Sequence, residues 1–164
     1  MSPHEKSLTL LFSGILFLAS CGTAPDTPTP RDAIAVWSLE DNSPSVPAQP
    51  DLGQILSSKI METIKKRGDY VVVERERLLR VLEELHLGTT GPVDEATRLK
   101  VGKIVGARWM IFGGYLVIGD QMRLDLRLVE VETGKIRKAV SRTAPAGGGM
   151  SGWLEAARKA GEEF

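Results

Sequence analysis

The stretch Trp109-Met-Ile-Phe-Gly-Gly-Tyr-Leu-Val-Ile-Gly-Asp-Gln-Met-Arg-Leu-Asp-Leu-Arg-Leu-Val-Glu130 decides the fold. Met122, Leu124, Leu126 and Leu128 alternate with Arg123, Asp125 and Arg127, which is the period of a strand with one buried and one wet face. Trp109 to Ile118 is the strand before it. Gly119-Asp120 between them is a two-residue hairpin turn. Glu132-Thr-Gly134 makes a second tight turn into a third strand, Lys135 to Arg142. Lys135, Arg137, Lys138 and Arg142 give that strand a charged edge, which discourages further strand addition.

Upstream, the period changes to that of helices. Ala33 to Leu39 is one apolar strand. Asp51 stands as N-cap of a helix whose Leu52, Leu56, Ile60 and Ile64 recur every fourth residue, with Ile55 beside them, and Gly68 ends it. Tyr70 to Val73 is a short β-branched strand. From Glu74 a second helix places Leu78, Leu79, Leu82 and Leu85 on one stripe and Arg75, Glu76, Arg80, Glu83 and Glu84 outside. Leu87 to Pro92 is a loop. Asp94 caps a third helix with Ala96, Leu99 and Ile104 as its apolar residues. A last helix from about Ser151 aligns Trp153, Ala157, Ala160 and Phe164. The order β-α-β-α-α-β-β-β-α implies an α/β domain with a mixed sheet and helices packed on it.

The N-terminus has a different character. Ser7 to Ser20 is too short to span a bilayer comfortably and ends in small residues, like the apolar part of a secretory signal. Leu18-Ala-Ser-Cys21-Gly22 then resembles a bacterial lipobox, which implies cleavage before Cys21 and acylation of that residue. Gly22 to Pro30 is a Pro/Thr tract that acts as a semi-extended tether. The chain divides into a signal peptide over 1–20, a lipidated Cys and tether over 21–32, and one domain over 33–164. At most about 3.5 Å per residue, the tether reaches about 35 Å. No Asp follows Cys21, so by resemblance to sorted lipoproteins the expected location is the outer membrane, facing the periplasm.

Composition excludes much chemistry. The 164 residues carry 21 Lys+Arg and 21 Asp+Glu, so no net charge draws the chain to nucleic acid. One Cys rules out an internal disulfide and a Cys-rich zinc site, and two His supply little for a metal or a triad. His4 leaves with the signal peptide. His86 lies at a helix end among Leu residues, with no G-x-S-x-G elbow in the chain. Gly147-Gly-Gly-Met-Ser-Gly152 satisfies G-x-G-x-x-G, yet no strand or acidic residue follows at the required distance, and Trp153-Leu154 stands where a phosphate loop needs Lys-Ser/Thr. Neither catalytic residue, cofactor nor metal is expected. Trp109, Phe112 and Tyr115 suit a core better than a stacking platform. Gly113-Gly114 inside a strand implies close approach of a helix or a neighbouring chain, and so an interaction surface.

Three segments carry a resemblance. Tyr70-Val-Val-Val-Glu-Arg-Glu-Arg-Leu-Leu79, Gly106-Ala-Arg-Trp-Met-Ile-Phe-Gly-Gly114 and Leu126-Arg-Leu-Val-Glu-Val-Glu-Thr-Gly-Lys-Ile136, in this order, are similar to the CsgG-type curli-secretion lipoprotein family. The resemblance implies an anticodon-binding-domain-like fold, envelope protein partners and ring assembly at the outer membrane. Channel members of that family carry long membrane-inserting hairpins where this chain has only Gly119-Asp120, and again after the last strand. The expected role is therefore a non-enzymatic assembly or accessory component of envelope secretion. The Leu87-Gly88 and Gly106-Ala-Arg108 segments also resemble penicillin-binding-protein activators of the LpoB type. That makes regulation of a cell-wall synthase the alternative, although those activators use a much longer tether.

Overall fold

A computed structural model describes residues 31–44, 51–86, 93–145 and 147–164. The expected signal segment over 1–20, Cys21, most of the expected tether and the expected loop over 87–92 lie outside the described residues. The elements are β1 (Ala33–Val36), β2 (Glu40–Asp41), α1 (Leu52–Arg67), β3 (Val71–Val72), α2 (Arg75–Glu84), α3 (Glu95–Ile104), β4 (Trp109–Ile118), β5 (Gln121–Glu130), β6 (Ile136–Ala144) and α4 (Gly149–Glu162). The sheet runs β3-β1-β4-β5-β6, with β2 also pairing with β4. Strands β3, β1, β2 and β4 are parallel, and β4-β5-β6 is the expected antiparallel meander.

The crossover from β1 through α1 to β3 runs one way along the sheet and the crossover from β3 through α2 and α3 to β4 runs back the other way, so right-handed connections place their helices on opposite faces. Helices α1 and α4 cover one face, where Leu56, Ile60, Ile111, Leu124, Leu126 and Ala157 form the larger core. Helices α2 and α3 cover the other, over Ala35, Met110, Phe112 and Val129. A fully buried side chain such as Ile60 contributes about 2 kcal/mol. The second layer covers only part of the sheet: Val129 is buried, while Arg123 and Asp125 on the same face of β5 are exposed. The alternation along β5 thus records where the helices end.

The local signals were of unequal value. Gly68 ends α1 in the left-handed conformation, φ 78°, with its N–H donating to Ile64 O at 3.3 Å. Asp94 caps α3, accepting from the Thr97 N–H at 2.9 Å. Asp51 occupies the N-cap position of α1 without a capping bond. Its backbone is already helical (φ −103°, ψ −7°), whereas a capping side chain needs an extended N-cap residue to reach the next turn.

Three expectations are corrected. The first strand is broken: Trp37 still donates its N–H to Ile111 O of β4 at 2.9 Å, and Ser38–Leu39 then leave the sheet so that Leu39 can bury against α1, its N–H donating to Gly53 O at 3.4 Å. The buried face of α3 is Arg98, Val101 and Gly102, followed by Val105, while Ala96 is exposed and Ile104 is 48% exposed. Gly102 lets this helix sit directly on Met110 and Val131, which rotates Ile104 outward. On α2, Val81 joins Leu78 and Leu82 in the core, leaving Leu79 and Leu85 at its margin.

Candidate interaction site at the carboxyl end of the first strand

Strand β1 is the topological switch point of the parallel part of the sheet, and ligands of open α/β sheets favour the carboxyl ends of strands at that point. Here the chain itself occupies the crevice. After β1 it runs along β4 as β2, with Asn42 N–H donating to Tyr115 O at 2.9 Å and Val117 N–H donating to Ser43 Oγ at 3.0 Å. The result is a shelf, Trp37 to Asn42, that borders a depression of about 390 Å³ with Val93 and Arg98 on its far side.

Arg98 organises the shelf. Its side chain is only about a tenth exposed. Nε donates to Val93 O at 2.7 Å, Nη2 donates to Glu40, and the guanidinium lies 5.8 Å from the ring centroids of both Trp37 and Phe112. A buried cation is tolerated only when paired and hydrogen-bonded, and Arg98 is both. Glu40 remains about half exposed. Beside it, burial pushes the Asp41 carboxyl up. Donation from the hydroxyl and N–H of Ser43 and from the Tyr115 hydroxyl outweighs this and holds Asp41 below the usual carboxylate range. Burial and the Asp41 charge together raise the Tyr115 hydroxyl. The shelf therefore offers fixed charges and an aromatic edge, with no nucleophile paired to a base.

The sequence reading missed Arg98. Its signal was the spacing: Arg98, Val101 and Val105 share one helical stripe, and a cation on an apolar stripe needs a buried partner.

Other candidate residues scatter. His86 is exposed at the end of α2, in the left-handed conformation (φ 54°), with its N–H on Glu83 O at 2.9 Å. Gly147 and Gly148 lie between β6 and α4, and Gly149 to Gly152 form the first turn of α4. Among the described residues, no cluster of three His, Cys, Asp or Glu could hold a metal ion. Phe112 and Tyr115 are core residues on opposite faces, and Trp109 is partly buried. The close approach at Gly113 and Gly114 is made by neighbouring strands of the same chain. A Cβ on Gly113 would overlap Asp125 O and lie 2.9 Å from Leu126 Cα; one on Gly114 would overlap Asn42 and lie 2.8 Å from Glu40 O.

A family model described as curli production assembly/transport component CsgG matches residues 18–117, more than half of the chain. The chain belongs to the CsgG family. The CsgG match runs from the lipobox-like stretch to the end of β4, taking in the shelf and Arg98. No curated protein matches the sequence. Among solved structures, the LpoB C-terminal domain from Escherichia coli is similar at a TM-score of 0.61 and 15% identity, over 73% of this chain and 87% of that one. The Salmonella enterica LpoB C-terminal domain gives 0.56 and 16%, over 72% and 85%. A PelC dodecamer from Paraburkholderia phytofirmans gives 0.53 and 15%, over 79% and 85%. At these identities the likeness shows a shared fold, an α/β domain with a mixed sheet.

Proposed function

We propose that this CsgG-family chain is a non-enzymatic lipoprotein of the outer membrane, acylated on Cys21 and facing the periplasm, that serves as an accessory or assembly component of envelope secretion. The observation that carries this reading is the family match itself, which begins at residue 18 and so includes Cys21. Two or three acyl chains, at about 0.8 kcal/mol per buried methylene, hold a protein on a membrane without a spanning helix. Labelled fatty acid is expected to enter the wild-type protein and not Cys21→Ala, which stays soluble or accumulates as precursor. An unlabelled wild-type protein would overturn the anchor.

The accessory role follows from the meander. Strands β4 and β5 pair with each other from Trp109–Glu130 to Ile118–Gln121, leaving only Gly119 and Asp120 at the tip. A membrane strand needs about 9–11 residues with an apolar lipid face. On β5 the face bearing Arg123, Asp125 and Arg127 would cost several kcal/mol per charge in lipid. Among the described residues, no helix is long and apolar enough to cross a membrane. The purified acylated protein is therefore expected to conduct no ions in a planar bilayer, and reproducible single-channel steps would restore a channel role. Self-association through the sheet edges is compatible with this reading. The charges of Arg137, Lys138 and Arg142 on β6 disfavour joining two copies of that edge symmetrically.

A second reading, activation of a cell-wall synthase, is favoured by the LpoB-like fold. The short stretch between Cys21 and β1 opposes it, because about 35 Å does not carry the domain far from the membrane. Affinity capture on purified penicillin-binding proteins against secretion components distinguishes the two.

A further inference from the structure

The end of the sheet where the tether joins the domain has a composition of its own. Between β5 and β6 the register slips: Leu128 faces Lys138, but Val129 faces Ile136, so Arg137 is an extra, bulged residue. In a regular strand Ile136 would point away from Lys135 and Arg137. With the bulge, all three line one open depression of about 350 Å³, together with Arg108, Trp109 and Glu130. Ile136 is 54% exposed. Arg108 pairs with Asp32 at 3.0 Å and its guanidinium lies 5.2 Å from the Trp109 ring centroid. Lys135 and Arg137 have no carboxylate partner among the described residues. Asp32 also accepts from Trp109 Nε1 at 3.1 Å, so the residue that ends the tether is bonded to the patch itself.

We propose that this surface rests on an anionic phospholipid bilayer and orients the anchored domain, with Trp109 and Ile136 at the headgroup level and the unpaired Lys135 and Arg137 on the lipid phosphates. The orientation rests on acylation of Cys21; the lipid contact does not. Cys21 stands eleven positions before Asp32, so with Cys21 acylated the tether holds the patch within about 40 Å of the membrane. Charge and shape agree with that occupant. Tryptophan with an aliphatic neighbour suits the polar-apolar boundary, and long basic side chains extend from it to phosphates. Each Lys or Arg at an anionic surface strengthens binding about fivefold, an effect lost as salt shortens the Debye length.

The test uses the purified wild-type lipoprotein on vesicles containing a brominated phospholipid, which quenches tryptophan at the membrane surface. One set is phosphatidylcholine alone and the other contains phosphatidylglycerol. Tryptophan emission is expected to be quenched in the anionic vesicles, much less in the zwitterionic ones, and not in about 1 M salt, where the Debye length is about 3 Å. Lys135→Glu with Arg137→Glu, both at the exposed edge, is expected to lower the docked-to-free ratio by more than about tenfold. Trp109→Phe removes the quenched emission if the assignment is right. Equal quenching in both lipids, or quenching that survives the double reversal, overturns the proposal. So does a double reversal that abolishes capture of an acidic protein partner while the wild type shows no lipid-dependent quenching. Flotation with zwitterionic vesicles reports the acyl anchor separately: its loss with quenching retained in anionic vesicles rejects the anchor and keeps the patch.

Discussion

Truncating Phe112 to alanine is expected to lower the unfolding free energy by about 3–5 kcal/mol, enough to remove much of the stability of a domain this size. Phe112 is completely buried and is one of the largest side chains in the core between the sheet and α2–α3. That core is the smaller of the two, so its neighbours Val101, Met110 and Val129 have few ways to collapse into the space. The ring also forms one wall of the Arg98 site, and its loss leaves a buried guanidinium beside a cavity. Phe112→Leu keeps most of the volume and is expected to cost under about 1.5 kcal/mol. Denaturant titration of both variants, with near-ultraviolet circular dichroism as a check on packing, gives the comparison. A loss below about 1.5 kcal/mol for the alanine variant would mean that α2 and α3 do not press on the sheet as described.

The second large effect is at Gly113. Adding one methyl group there places it against the carbonyl of Asp125 and the Cα of Leu126, both backbone atoms of β5. Backbone in a paired strand cannot move aside as a flexible side chain would, so Gly113→Ala is expected to cost about 3 kcal/mol and to disturb the β4–β5 register. Gly68→Ala is the control. Its new Cβ meets only Arg31 Nη1, at 3.6 Å, and the penalty is the left-handed backbone alone, about 1 kcal/mol. Thermal melts of the two variants separate collision from conformation. If they lose equal stability, the crowding at Gly113 is not real and the glycine pair is free to face a partner.

These experiments bear on how the molecule was legible from its residues. The meander and the α1 stripe could be read directly because burial there repeats with the period of a single element. The face of α3 could not. Its stripe contains Arg98, which reads as a surface residue until Trp37 and Glu40 from one segment and Phe112 from another are brought around it. The break after β1 was equally hidden. Trp37–Leu39 has the composition of a strand, and only the opening at Gly53 on α1 gives Leu39 a better place than the sheet.

The division between the two kinds of information has a physical origin. Period-two and period-3.6 patterns, glycine at a helix end, a capping Asp94 and the lipobox-like stretch are relations between near neighbours, and they hold before the chain folds. They sufficed for the element order, the mixed sheet and the family resemblance. The two candidate surfaces depend on elements far apart in the chain. The shelf exists because β2 lies along β4 and α3 brings Arg98 beneath Glu40. The basic patch exists because a bulge brings Ile136 to the same side as Lys135 and Arg137, next to the point where Asp32 bonds to Trp109. Strand register and layer coverage are set by how the whole core packs, and no local pattern encodes them.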